Sequence, residues 1–415
     1  MATPRTRVAL VLSTGFCLLL LAPVCFGLQD DDDASLKSLF EAHRWFELRE
    51  AVAKGGAPAF YQGAVACAFN DLHRCEKKLS PVIKSRPQSH DTIEAHRLLA
   101  SAYLRRGRYR LALAQADAAI ALKPGDSGVL GDRPLLAILS QFPEQEVVRR
   151  RATMLQLQEA GLPISVNGVK ATYWFDTGAN VSAISESEAR RFRLRVVASP
   201  IKIGDVTGTK FDSRVGVADE VSIGSIRLRH VAFLVLSDSQ PPFNQSTPGE
   251  GGLIGLPVIL ALQRLVWGAD KKFEIGSKSS DTAVPHADMC FDGQHPVTQI
   301  QYEHRQLLFT LDTGATNTDL YPPFAAAFPE LIRMAEKSDA YKMEGAGGAR
   351  NMDAAILKSL RLSIGGFPVV LSPAGVLLTH TVEESKFFHG NLGIDLLQQA
   401  HKTTFDFKAM TLTLE

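Results

Sequence analysis

Two hydrophobic periods divide this chain, and the change from one to the other falls near Gln141. From residue 34 to about residue 140, apolar positions recur at helical spacing in a background rich in Ala, Leu, Arg and Glu. Leu99, Tyr103, Gly107, Tyr109, Ala112, Ala119 and Pro124 outline one helical hairpin. Small Ala112 and Ala119 let two antiparallel helices approach, Gly107 opens the turn between them, and Pro124 ends the second helix. A fainter copy precedes it, with Gly63, Cys75 and Pro87 in equivalent places, and residues 39–52 predict a further helix.

Beyond Gln141 the apolar runs shorten and carry turn residues between them, the signature of strands. Residues 147–151 read as a charged connection. Strands are predicted over 154–157, 163–166 and Val169–Phe175, with Asn167-Gly168 as a hairpin turn between the last two. The return strand runs into Asp176-Thr177-Gly178-Ala179. The same order then recurs: a strand over 297–302, a turn over 303–305, and a strand over 306–311 that runs into Asp312-Thr313-Gly314-Ala315. A short helix follows each motif, starting at Ser185-Glu186-Ser187-Glu188 in one half and covering 322–334 in the other. Glycine-bearing loops come next, 204–208 and 345–348, then hairpins at Ile223-Gly224-Ser225-Ile226 and Ile364-Gly365-Gly366-Phe367. Leu253-Ile254-Gly255-Leu256 is answered by Asn391-Leu392-Gly393-Ile394, and a pair of strands closes each half. This is an internal duplication with a period of about 120 residues.

Composition adds limits rather than a function. The 415 residues are 45% hydrophobic and 21% charged, with a formal charge of +1, so neither nucleic acid nor an anionic membrane is expected as a partner. Eleven scattered His without zinc-ligand spacing predict no metal site, and no cofactor is expected. Arg5 and Arg7 followed by an apolar stretch over 8–21, Pro23 and small residues near Gly27 predict a cleaved export leader over 1–27. That stretch is shorter than the roughly 20 residues a spanning helix needs. Asp30 to Asp33 reads as a solvated start of the mature chain. Of the cysteines outside the leader, Cys67 and Cys75 are the one close pair; the default for all three is a buried, inert thiol.

The duplicated Asp-Thr-Gly is the chemical core of the sequence. A lone copy is usually a turn. Two copies with matching surroundings bring two carboxylates to one place, an arrangement suited to activating water. These motifs resemble those of the retropepsin-like aspartic peptidases, in particular their exported bacterial relatives, with Ala after the Gly as in the retroviral type and both halves in one chain. The resemblance implies a bilobal all-β acid-protease-like domain in which Asp176 and Asp312 share one proton. It implies that Thr177 and Thr313 bond across to the opposite half, and that Gly178 and Gly314 permit the tight turns. Gly345, Gly347 and Gly348 are the better flap candidates, with Tyr341 nearby to cover the cleft; the 204–208 loop is the more polar counterpart. Pro257 stands where the second half has Asp395, and the insertion 241–252 is expected to be a loose surface loop. The helical segment resembles tetratricopeptide repeats.

The expected organisation is multidomain: leader 1–27, an all-α tetratricopeptide-like segment 28–150, lobe 1 over 151–280 and lobe 2 over 281–415. The expected function is an exported aspartic endopeptidase of periplasm or medium. It would act as a monomer with an intramolecular dyad on peptide or protein substrate, with a protein partner or a simple packing role for the helices. The competing expectation is a non-catalytic peptide-binding or scaffold protein of the cell envelope.

Overall fold

A computed structural model describes residues 29–125, 127–158, 161–198, 201–277 and 287–415. The leader over 1–27 lies outside them. Helices fill the described N-terminal region, and all longer sheets follow it, so an all-α segment precedes an all-β one. Asp30 to Asp33 fall within the helix Gln29–Glu41.

The hairpin read from spacing is His90–Leu104 with Tyr109–Leu122. Leu99, Tyr103, Tyr109, Ala112 and Ala119 are all buried, and Gly107 turns with φ of 68°. The preceding pair is Ala59–Ala68 with Leu72–Ser85. Gly63 lets these helices touch: a Cβ there would lie 2.4 Å from Leu79 Cδ2. Asp71 and Ser89 cap the next two helices by accepting the N–H groups of Arg74 and Thr92. Cys67 and Cys75 form a disulfide, which corrects the expectation of inert thiols. One sits near the end of a helix and the other at the start of the next, so the turn brings them together. Closing so short a loop stabilises by roughly 2–3 kcal/mol.

The helices are docked on lobe 2. His43 Nδ1 lies 2.7 Å from Asp292 and Trp45 Nε1 donates to the same carboxylate at 3.1 Å. His43 also stacks on Phe387 at 3.8 Å. Arg105 is 3% exposed, donates to the Cys67 and Gly293 carbonyls and lies 4.3 Å from the Phe291 ring centre. Burial, with Arg106 alongside, pushes its pKa down to about 9, which still leaves it charged at neutral pH.

Lobe 1 is a nine-stranded sheet and lobe 2 a ten-stranded sheet. A third sheet is shared, in the order Thr153–Gln156, Lys272–Ile275, Arg264–Gly268, Lys402–Asp406, Thr411–Leu414. Its central pairing joins the lobes directly, Leu265 opposite Phe405 and Val266 opposite Thr404. Phe175, on the strand that leads to the first Asp-Thr-Gly, packs its ring 5.1 Å from Phe273 and 5.9 Å from Phe405. The two motifs therefore stand on one continuous apolar base within a single chain.

Several expectations need correction. The 147–151 connection is in part a strand, Glu146–Arg149, on the edge of lobe 1 opposite Leu228 and its neighbours. All four of its residues are exposed, so no alternation could announce it. The 322–334 helix is two, Pro322–Ala327 and Pro329–Met334, because Phe328 precedes a proline and leaves helical geometry with ψ of 59°. The turn after Tyr302 is two residues, Glu303 and His304, with Glu303 at φ of 52°. Pro257 changes nothing: it sits in the first turn of Leu256–Leu262, where a missing N–H is harmless, and Gly255 and Gly393 cap their helices at ψ of −177° and −179°. The 241–252 insertion is anchored rather than loose, since Phe243 is buried with Ala183, Leu236 and Leu253.

Candidate active site

Each Asp-Thr-Gly begins where a central strand ends. Val169–Phe175 runs parallel to Gly252–Ile254, and Arg305–Leu311 runs parallel to Gly390–Leu392. Asp176 N–H donates to Ile254 O at 2.8 Å and Asp312 N–H donates to Leu392 O at 3.0 Å, so both aspartates are held by equivalent strands. Asp176 Oδ1 accepts the N–H groups of Gly178 and Ala179 at 2.9 and 3.1 Å; Asp312 Oδ1 accepts those of Gly314 and Ala315 at the same distances.

The threonines lock the loops. Thr177 Oγ1 donates to Leu311 O at 2.7 Å and accepts Thr313 N–H at 3.0 Å. Thr313 Oγ1 donates to Phe175 O at 2.9 Å and accepts Thr177 N–H at 3.1 Å. Both side chains are buried, so each hydroxyl fills donor and acceptor needs that water cannot reach.

Gly178 and Gly314 serve a purpose beyond turning. A Cβ at Gly178 would stand 2.6 Å from Asp312 Cγ, and one at Gly314 would stand 2.4 Å from Asp176 Cγ. Each glycine thus lets its loop press against the opposite carboxyl group. The two carboxyls are brought together, and Asp176 is pushed well above the usual carboxylate range by burial, by the charge of Asp312 and by a hydrogen bond with it. Such a pair holds one proton between two acids. One contact breaks the symmetry: Asn391 Nδ2 donates to Asp312 Oδ2 at 3.2 Å, whereas the matching position beside Asp176 is Leu253.

Gly345, Gly347 and Gly348 form the tip of the hairpin Glu336–Gly345 with Gly348–Leu357. Their small size answers a close approach. Gly347 N–H donates to Asp205 Oδ2 at 2.6 Å, and a Cβ at Gly345 would lie 2.4 Å from that oxygen. Asp205 belongs to the other glycine loop, between Ile201–Gly204 and Lys210–Ile223, so the two tips meet. Arg350 donates to Thr207 O at 3.2 Å and Gln240, from the stretch before the insertion, donates to Ala346 O. The two loops therefore touch at their tips. Tyr341 is placed lower on its hairpin than a covering role suggested. Its hydroxyl donates to Asp319 at 2.5 Å while its ring closes over Gly375.

Cavities of about 150 Å³ and about 210 Å³ lie away from the dyad, the first between the helices and Gln294, the second around Asp288 and Gln301.

The family model described as aspartyl protease matches residues 162–258. That stretch of the chain is thus similar to an aspartyl protease domain. The match covers lobe 1 from the strand Leu162–Val166 to the start of helix Leu256–Leu262, Asp176 included. The chain is also similar to a solved structure, a retropepsin-like aspartic protease from Rickettsia conorii, at 14% identity over 32% of this chain and 92% of that one, with a TM-score of 0.22. Among curated proteins no significant match is found.

Sequence reasoning missed Asn391, Asp319 and Asp205. Laying the two halves over each other had Asn391 in view, opposite Leu253; carried on to Ala183, it reaches Asp319. Asp205 carried no such signal, because its partner is a backbone N–H from a distant loop.

Proposed function

We propose that this chain is an aspartic endopeptidase with one intramolecular active site. The observation that carries the reading is the reciprocal threonine lock, which holds two carboxyl groups face to face on loops that glycine alone can build. In this reading Asp176 carries the shared proton and Asp312 is the base. A water gives a proton to Asp312 while its oxygen attacks the peptide carbonyl carbon, and Asp176 protonates the carbonyl oxygen. The resulting gem-diol returns a proton to Asp176 as the C–N bond breaks, and Asp312 passes its proton to the departing nitrogen. Water is consumed, an acid and an amine are released, and the dyad is restored with one proton.

Glycine and hydrogen-bonded tips at 205–208 and 345–348 serve as the flap pair. Export to the periplasm or the medium is part of the proposal, supported by the leader pattern of residues 1–27 and by the Cys67–Cys75 disulfide, which persists in oxidising surroundings. The helices are proposed as tetratricopeptide-like units whose contacts with lobe 2 fix them as a cap on the domain.

The test is incubation of the leaderless protein with a diverse peptide pool over roughly pH 3–8, alongside Asp176→Asn and Asp312→Asn, with mass spectrometry locating the cuts. Cleavage by the parent, abolished by either substitution in folded protein, is the expected result. Folded parent without cuts at any pH would move the reading to a peptide-binding scaffold.

A further inference from the structure

The two walls of the cleft carry opposite chemistry at matching positions. In lobe 1 the strand residue two before the aspartate is Trp174; it is paired with Leu253, which is paired in turn with Ala183. In lobe 2 the same three positions are Thr310, Asn391 and Asp319, paired in the same order. Cross-strand partners share one face of a sheet, so each trio lines one face. It is the face turned from the main core, which takes the alternating Phe175, Ile184 and Ile254 in lobe 1 and Leu311, Leu320 and Leu392 in lobe 2; Ala183, Leu253 and Asn391 are themselves buried, the first two in a separate small cluster.

That face borders the dyad and lies under the cover. Asn391 Nδ2 touches Asp312, and Asp319 is held by Tyr341 from the flap hairpin. A residue that meets both its hairpin cover and the strand beside the dyad walls the space between them. The lobe 1 trio is sealed as an apolar wall by Phe243, whose ring centre is 6.2 Å from that of Trp174. The lobe 2 trio is polar throughout: Thr310 donates to Asn391 Oδ1 at 2.6 Å, and Asp319 is the charged member.

Asp319 has an acid's surroundings without a base. Burial and the charges of Asp395 and Asp312 push its carboxyl up, while the Tyr341 hydroxyl alone pulls it down. No Lys, Arg or His is among the groups that act on the Asp319 carboxyl, and among the described residues these acids do not group as a metal site. A cation arriving on a substrate would supply the missing partner, and the covered cleft would strengthen that attraction by excluding water.

Resting on the peptidase reading above, we propose that Asp319 is a specificity-determining residue, and that the substrate places a Lys or Arg side chain against lobe 2 and an apolar side chain against lobe 1 at the scissile bond. Asn391 and Thr310 would orient the neighbouring polar atoms, and Trp174, Leu253 and Phe243 would bury the apolar side chain.

The experiment is a cleavage-site profile of the parent, Asp319→Asn and Tyr341→Phe on one peptide pool, followed by kcat/KM on matched peptides with Lys, Gln or Leu at the deciding subsite. Lys and Arg enriched on one side of the parent's cuts, and an apolar residue on the other, is the expected profile. Asp319→Asn should lower the Lys-over-Leu ratio of kcat/KM by about tenfold to a hundredfold, the range for one charge-assisted hydrogen bond. Tyr341→Phe, which frees the carboxylate from its internal donor, should raise that ratio, and it keeps the test open if the Asn variant misfolds. Cuts without a basic preference, or a preference that neither substitution moves, would overturn the proposal while leaving the peptidase reading intact. A parent that makes no cuts fails the peptidase reading instead, and this proposal with it.

Discussion

The Asp-Thr-Gly loops of lobe 1 and lobe 2 match in their backbone and threonine hydrogen bonds, yet one strand away the lobes differ at each position turned from the main core. Asp176 and Asp312 each accept two backbone N–H groups at 2.9 and 3.1 Å, and the threonine contacts agree to within a few tenths of an ångström. The walls then read Trp174, Leu253, Ala183 against Thr310, Asn391, Asp319. The loops are alike because each is pressed against the other and has no room to vary. The wall positions are not pressed against their counterparts in the other lobe, so their side chains are free to differ.

The largest effect should follow from breaking the part that is alike. Gly178→Ala and Gly314→Ala put a methyl group within 2.6 and 2.4 Å of the facing carboxyl carbon, so the loops must separate. A displacement near 1 Å costs about a hundredfold in rate, and kcat/KM on any cleaved peptide should fall by at least that much for either variant. Equal losses would bear out the symmetry; one tolerated alanine would break it.

Next in size are the threonines. Thr177→Val keeps the shape, but it strands the Leu311 carbonyl and the Thr313 N–H, and Thr313→Val strands the Phe175 carbonyl and the Thr177 N–H. Two buried unsatisfied groups cost about 2–6 kcal/mol together. Urea unfolding should give similar losses for the two variants, because each removes two of the four bonds of the lock.

A pH comparison separates the two aspartates. The folded state raises the Asp176 carboxyl above its unfolded value of about 3.9, so its contribution to stability is fully present below that value and is lost as pH rises through the raised one. Asp176→Asn has no charge to bury, and it should therefore be more stable than the parent at neutral pH and lose that advantage on acidification. Asp288, raised to about 6 by burial, acts in the same direction and must be checked with Asp288→Asn. Peptidase activity should decline over the same rise in pH, as Asp176 surrenders the proton that it must donate. A thermal-melt series with these two variants across the range decides it; an Asp176→Asn advantage that grows towards acid pH would sink the assignment.

The duplication, the two-residue Asn167-Gly168 turn and the alternation of strands were legible because each is local: period, turn chemistry and spacing are written in neighbouring residues. Asn167 and Gly168 do take φ of 48° and 82°, as that turn requires. The edge strand Glu146–Arg149 was not legible, since an exposed strand shows no pattern, and neither was the shared sheet, whose partners Leu265 and Phe405 are far apart in sequence. For the site, the aspartates, threonines and glycines announced themselves by repetition. Asp319 and Asn391 announced themselves only by failing to repeat, and that becomes a signal once the strand pairing shows which positions to compare.

The two hairpin tips give the mildest test, because they differ in construction while meeting at one point. The lobe 2 tip is glycine, and the lobe 1 tip is organised by a carboxylate. Asp205 Oδ1 accepts Thr207 N–H, Thr207 Oγ1–H and Thr209 N–H at 3.0, 2.7 and 3.1 Å, while Oδ2 takes Gly347 N–H. Both oxygens are therefore acceptors, and an asparagine in either orientation sets an NH₂ group against a backbone N–H. Asp205→Asn should loosen the tips without touching the dyad loops. Amide exchange at Gly347 should quicken by about threefold to tenfold, the range for one partly exposed charge-assisted bond. Exchange at Thr177 and Thr313, buried in the lock, should stay unchanged. If Gly347 exchanged no faster in the variant, the tips would be held by Arg350 and Gln240 instead, and the carboxylate would organise only its own turn.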